Sequence, residues 1–186
     1  MSRPDINEIK QVYIESDLLF SNSEVNQAID KIADEITGEY ADRDPVIFTI
    51  MNGGLVICGQ LLTRLEFPLE AGYLHATRYR NTTSGHELEW KVPPMIDYQG
   101  RDVLVVDDIL DEGHTLHEVM NHLKEGGAKS VASVVLIDKI HDRKAVPGMK
   151  ADFTGLTIPD RYIFGFGLDY KGYWRNAPGI FAVKGL

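Results

Sequence analysis

Two hydrophobic patterns alternate along the chain, one at helical spacing and one in short branched runs. Val25, Ala28, Ile29, Ile32, Ala33 and Ile36 recur at helical spacing, which predicts an amphipathic helix over 21–40. Ser21 followed three residues later by Glu24 reads as a capping box at its start. Ahead of it, Ile9 to Phe20 predicts a short helix or strand lying on the domain. Pro45 to Ile50 has the pattern of a strand buried on both faces, and Leu55 to Leu65 reads as a helix. Leu69 to Tyr79 predicts another strand. Arg80 to His86 is polar and turn-rich, and Glu87 to Val92 alternates like a returning strand. The stretch at about 78–92 therefore predicts a hairpin flap, which Pro93-Pro94 ends. Val103 to Val106 is an unbroken branched run. Leu116, Val119, Met120 and Leu123 follow at helical spacing, and Gly126-Gly127 stops that helix. Ser130 to Ile137 is the next buried strand, which completes a βαβ unit with a right-handed crossover.

The pattern predicts an α/β fold: one domain over 1–186 with a doubly wound parallel sheet around 45–50, 102–106 and 130–137. A chain of 186 residues with 44% apolar and 25% charged residues can bury a sizeable core in a single domain. The net charge of −9 argues against a surface that binds nucleic acid through its phosphates. No apolar run approaches a membrane span, and the first residues have no signal-like apolar core. Cys58 is the only cysteine, so no internal disulfide forms. We expect a cytoplasmic protein that binds neither nucleic acid nor membrane, with Cys58 a buried, unreactive thiol.

Candidate chemistry concentrates where strands give way to helices. Asp107 to Thr115 joins the run at 103–106 to the following helix, and an unpaired helix N-terminus is an anion cradle. Asp107 and Asp108 leave the strand at its C-terminal end, where open α/β sheets bind ligands. Neighbouring strand residues point to opposite faces, so at most one of the two enters a given pocket. Two carboxylates beside a phosphate cradle suit a ligand that also carries hydroxyls, or one that brings magnesium. That combination describes a sugar phosphate with a metal, and it leaves Asp111 for proton chemistry. Met51-Asn52-Gly53-Gly54 is a second strand–turn–helix junction, where paired glycines allow close approach of the backbone to an anion. Arg78 and Arg80 are either phosphate ligands or solvated loop charges. Lys139 either donates to a carbonyl of a flat ligand or is a surface lysine. His141 to Lys144 is a charged loop, and the six histidines show no metal-ligand spacing.

Val103-Leu-Val-Val-Asp-Asp-Ile-Leu-Asp-Glu-Gly-His-Thr-Leu116 resembles the phosphoribosyl pyrophosphate signature of type I phosphoribosyltransferases. The likeness extends over nearly the whole chain and is greatest to bacterial hypoxanthine-guanine members. It implies transfer of a phosphoribosyl group to hypoxanthine or guanine with Mg2+, by a homodimer or homotetramer. It also implies that Asp107, Asp108, Ile109, Leu110, Glu112, Gly113, His114 and Thr115 hold the sugar phosphate, with Asp111 as the group that handles the purine proton. Asn52, Gly53 and Gly54 match a pyrophosphate-binding loop with a cis peptide at Met51–Asn52, although some relatives have Lys where Asn52 stands. The flap becomes a lid, with Arg78 near the substrate phosphates. Lys139 matches a lysine that reads the purine 6-oxo group. Tyr162 to Tyr170, in Tyr-Ile-Phe-Gly-Phe-Gly-Leu-Asp-Tyr, resembles a hood over the base. Tyr162 would stack on the purine where many relatives have Phe, Ile163 would meet its edge, and Arg175 would reach pyrophosphate. Metal ligands would be Asp107, Asp108 and, for a second ion, Asp169. The expected hood comprises about 1–20 and 155–186. Glu112 and His114 replace Thr and Lys of some relatives, so only the Glu112 backbone is expected to face phosphate. Two rivals are a non-catalytic regulator on this fold and an enzyme that prefers xanthine.

Overall fold

The computed structural model describes residues 3–78 and 88–185, with the backbone alone at 78 and 88. Helix α1 (Ile6–Glu15) is followed by strand β1 (Asp17–Ser21), so the segment before the first predicted helix holds both a helix and a strand. Helix α2 (Asn22–Tyr40) begins with the predicted capping box: the Glu24 N–H donates to the Ser21 hydroxyl at 3.3 Å, and the Ser21 N–H donates to the Glu24 carboxylate at 2.8 Å. The cap works because these N–H groups have no partner within the helix.

Next come β2 (Val46–Ile50), α3 (Leu55–Leu62), β3 (Glu70–Arg78) and β4 (Leu88–Val92). Then follow β5 (Asp102–Leu110), α4 (His114–Glu125), β6 (Ser130–Ile140) and β7 (Phe153–Pro159). These six strands pair in the order β4-β3-β2-β5-β6-β7. All neighbours are parallel except β3 and β4, which return on each other as a hairpin. Ile47, Leu104, Val106, Val134 and Leu136 pack under α2 and α3 on one face. Val46, Phe48, Val103, Val105 and Val135 pack under α4 on the other. Burial on both faces is why these strands read as continuous apolar runs. No helix among the described residues is long and apolar enough to cross a membrane.

A separate three-stranded antiparallel sheet, ordered β1-β9-β8, joins the two ends of the chain through β8 (Ile163–Phe164) and β9 (Gly179–Ala182). Ile9, Phe164, Tyr170 and Val183 form its own small core. The hood boundary predicted at 155 needs correction, because β7 pairs with β6 in the main sheet and residues 155–159 belong there. Its sequence gives a weak signal: it is an edge strand, and Gly155 interrupts it where a Cβ would lie 2.9 Å from the Leu136 carbonyl. The middle of the predicted flap, including Arg80, falls outside the described residues, as does the Arg78 side chain.

The sheet changes winding direction between β2 and β5. From β2 the chain moves to β3 on one side, then crosses back to place β5 on the other. The C-terminal ends of β2 and β5 therefore diverge and open a crevice. The ladder of β5 with β2 ends at Val106, whereas its ladder with β6 continues to Leu110. This corrects the predicted turn: Asp107 to Leu110 are strand residues, kept extended by β6, and the turn begins at Asp111.

Candidate active site

The turn ends at the N-terminus of α4, a place where anions are favoured. Gly113 precedes α4 at φ +83° and, as a glycine, offers no side-chain cap. The first N–H groups of α4 have no acceptor within the helix, and the positive end of the helix dipole lies behind them. Asp107, Ile109, Asp111, Glu112, Gly113, His114, Thr115 and Leu116 line a cleft of about 280 Å³ at this point. Glu112 keeps a side chain that is 46% exposed, 3.6 Å from His114 Nε2. Leu110 departs from expectation, since its side chain is fully buried in the core beside α4. Its carbonyl accepts from Lys144 Nζ at 2.7 Å, so neither side chain nor carbonyl of Leu110 is open to a ligand.

Strand parity divides the two acids as predicted. Asp107 lines the cradle, while Asp108 faces the turn after β2 and the hood. Asp107 Oδ1 accepts the Asp108 N–H at 2.9 Å. Burial pushes both carboxyls above their ordinary range, and at Asp107 the charge of Asp108 adds to the rise. The described cation nearest Asp108 is Arg175, at 4.0 Å. Arg175 itself bonds the Asp169 carboxylate and the Gly167 carbonyl, the latter at 2.6 Å. The pair is therefore short of positive charge, and such a donor set fits a hard divalent cation bound by few carboxylates and several waters.

The turn after β2 reaches the same crevice. Its Met51–Asn52 peptide is cis. Gly54 opens α3 with its N–H on the Ile50 carbonyl at 3.0 Å, and a Cβ there would lie 2.7 Å from the Val106 carbonyl and 2.9 Å from that of Ile50. Both obstacles are strand backbone that cannot swing away. Gly54→Ala is expected to destabilise the fold by about 1–3 kcal/mol, a typical cost of overpacking. The midpoint of urea unfolding measures this, and an unchanged midpoint would show that the turn moves freely. Cys58, one turn into α3, is 3% exposed, and burial pushes its thiol up, as an unreactive core cysteine requires.

The hood reaches this turn through Gly167, at φ +108°, whose position against the Gly53 carbonyl leaves no space for a side chain. Ile163 is buried and paired with Ala182, which leaves only its backbone for a ligand. Tyr162 is 44% exposed and stands edge-on to Tyr170 at 5.7 Å. Asp169 Oδ2 accepts the Gly172 N–H at 2.7 Å.

Two groups with separate predicted roles prove to be partners. Lys139, 8% exposed near the end of β6, donates to Asp111 Oδ2 at 3.0 Å and lies 3.7 Å from Asp160. His141 Nε2 lies 2.7 Å from Asp111 Oδ1. Burial pushes the Asp111 carboxyl up, but the hydrogen bonds from Lys139 and His141 outweigh it and hold the group below the ordinary carboxylate range. The sequence marks 141–144 only as a charged loop and does not set His141 apart. A histidine two residues past a β6 lysine that ends at a ligand crevice was the available signal.

Comparison with known proteins agrees with this geometry. Residues 16–171 match the family model described as phosphoribosyl transferase domain. The chain is 34% identical to the hypoxanthine-guanine phosphoribosyltransferase of Bacillus subtilis (strain 168), over 90% of this chain and 92% of that protein. It is 32% identical to the hypoxanthine-guanine-xanthine phosphoribosyltransferase of Tritrichomonas foetus, over 90% and 91%. A crystal structure of a hypoxanthine phosphoribosyltransferase from Staphylococcus aureus superposes with a TM-score of 0.84 at 25% identity, over 90% of this chain and 91% of that one. With the family model spanning most of the sequence and the strand-end crevice at the switch point, the chain belongs to the phosphoribosyl transferase domain family.

Proposed function

We propose that this protein works in purine salvage and transfers the phosphoribosyl group of phosphoribosyl pyrophosphate to hypoxanthine or guanine, giving IMP or GMP and pyrophosphate. The observation that carries the proposal is one crevice that joins a helix N-terminus opened by Gly113, two cation-deficient acids and a carboxylate–lysine pair. The names of the relatives support the same substrates.

In this mechanism the α4 N–H groups from Gly113 to Thr115 hold the 5′-phosphate. Asp107 and Asp108 accept from the ribose hydroxyls or hold Mg2+, with Asp169 a candidate for a second ion. Mg2+ held there would supply positive charge against that of the departing pyrophosphate. Asn52, Gly53 and Gly54 offer backbone amides to pyrophosphate, and Arg175 approaches it from the hood. As the bond from C1′ to pyrophosphate oxygen breaks, the sugar becomes oxocarbenium-like and purine N9 bonds to C1′. The purine N7 proton passes to Asp111. A carboxylate held ionised by Lys139 and His141 accepts that proton once the ring carries positive charge. Lys139 donates to the purine 6-oxo group, an acceptor that adenine lacks, so adenine would leave a buried donor unpaired. Tyr162 offers an aromatic face to the base.

Pyrophosphate release with Mg2+ and phosphoribosyl pyrophosphate, tested separately with hypoxanthine, guanine, xanthine and adenine, checks the proposal. Release with hypoxanthine and guanine but not adenine is expected. Release with xanthine alone would assign a xanthine-preferring enzyme, and none with any base, despite binding of phosphoribosyl pyrophosphate, would indicate a regulator. We also propose a cytoplasmic homodimer or homotetramer that binds neither nucleic acid nor membrane. The net charge of −9 and the buried lone cysteine support that placement.

A further inference from the structure

We infer that His141 is a positioning residue for Asp111, set on a loop that braces the reacting end of β5. The inference rests on Asp111 being the proton acceptor in the proposed reaction.

The loop after β6 grips three successive residues of the β5–α4 junction. Lys144 Nζ donates to the Leu110 carbonyl at 2.7 Å and to Asp138 at 2.7 Å. His141 meets Asp111 at 2.7 Å, and the Ala145 N–H donates to the Glu112 carbonyl at 2.7 Å. The loop is itself anchored, since Arg143 donates to Asp160 at 2.6 Å. Leu110, Asp111 and Glu112 are thus held from one side by one short segment.

The hydrogen bonds of His141 fix its tautomer. Its side chain is 4% exposed, and Nδ1 accepts the backbone N–H of Arg143 at 3.0 Å. A ring nitrogen that accepts cannot carry a proton, so in the neutral ring the proton sits on Nε2 and points at Asp111 Oδ1. Asp111, His141 and Asp160 bring ligand atoms within 4.8 Å of one another, as a metal site would. The tautomer opposes that use, because Nε2 has no lone pair to give while Nδ1 accepts. Asp160 is already engaged by Arg143.

Lys139 and His141 occupy different oxygens of Asp111. When a purine draws Lys139 onto its 6-oxo group, Oδ2 loses its donor and becomes available to the N7 proton. His141 then remains as the described side-chain donor that keeps the carboxylate plane in place. The charged groups around the pair are Lys139 on β6, Asp160 after β7, Arg143 in the brace and Glu112 on the turn before α4.

The test compares His141→Phe, His141→Gln and His141→Asn with the unaltered protein, in pyrophosphate release across pH and in thermal unfolding. Gln places an amide N–H near the Nε2 position, Asn is too short to reach Asp111, and Phe fills the space without a donor. Expected results are a roughly tenfold lower kcat for Phe and Asn, as for loss of a hydrogen bond to a charged group, with KM for phosphoribosyl pyrophosphate within about twofold. The acid limb of their pH–rate profile moves to higher pH, because Asp111 loses a bond that favours its charged form. Gln restores both kcat and the limb. Lower activity with an unmoved acid limb would overturn the inference, as would equal activity in Gln and Asn. If Phe fails to fold, the Gln–Asn comparison decides alone. Asp111→Asn is measured in parallel. Full turnover in that variant overturns both readings, whereas lost turnover with an unaffected His141 series overturns only the role of His141.

Discussion

Asp111→Asn lowers kcat by about two to four orders of magnitude, the usual share of a positioned proton acceptor, and leaves KM for phosphoribosyl pyrophosphate within a few-fold. The expectation follows from the surroundings of the carboxylate. Lys139 and His141 each present a donor to a different oxygen. An amide supplies one acceptor oxygen and one NH2, so one of those donors would face another donor. The variant therefore loses the basic group and disturbs the geometry around it, without touching the helix N-terminus proposed for the phosphate. Steady-state rates at saturating substrates separate the two parameters. Turnover equal to that of the unaltered protein would remove Asp111 from the proton transfer and shift attention to solvent or the base itself.

Gly53→Ala has the second largest expected effect. It contrasts with the alanine substitution one residue later. A Cβ on Gly53 would lie 2.7 Å from Asp108 Oδ1 and closer still to the other carboxylate oxygen. That carboxylate is the end of a side chain and can turn aside, so the fold survives with little change in unfolding temperature. Turning aside takes Asp108 from its place between Gly53 and Arg175. A displacement of about 1 Å in a positioned group costs on the order of a hundredfold in rate. We expect kcat/KM to fall by about that factor and the Mg2+ concentration needed for half-maximal activity to rise. Full activity at the usual Mg2+ concentration would show that Asp108 takes no part in the pyrophosphate side of the site. Loss of folding would show that the turn, rather than the acid, is what Gly53 protects.

Much of this protein is legible in its sequence because the informative features are local. The capping box at Ser21 needs only Glu24 three residues away. The apolar runs at 45–50, 103–106 and 130–137 mark strands buried on both faces, and Gly126 ends α4 where the apolar stripe stops. The succession Asp107, Asp108, Asp111, Gly113, Thr115 marks the strand-to-helix junction proposed as the phosphate cradle, since a strand end, a left-handed turn residue and a helix start must follow one another in the chain.

Features set by neighbours distant in sequence were not legible. β5 continues to Leu110 because β6 runs beside it that far, which no residue of β5 announces. β7 belongs to the main sheet because its backbone finds β6, although its own pattern is that of an irregular edge. The union of Lys139 and His141 on Asp111 spans 28 and 30 residues. Periodicity and turn chemistry act over a few residues, so the order of residues is enough to set which groups exist and which helix ends and strand ends carry them. The tertiary structure alone decided which of those groups share a proton, a charge or a clash, because hydrogen bonds and Coulomb forces act over a few ångströms whatever the separation along the chain.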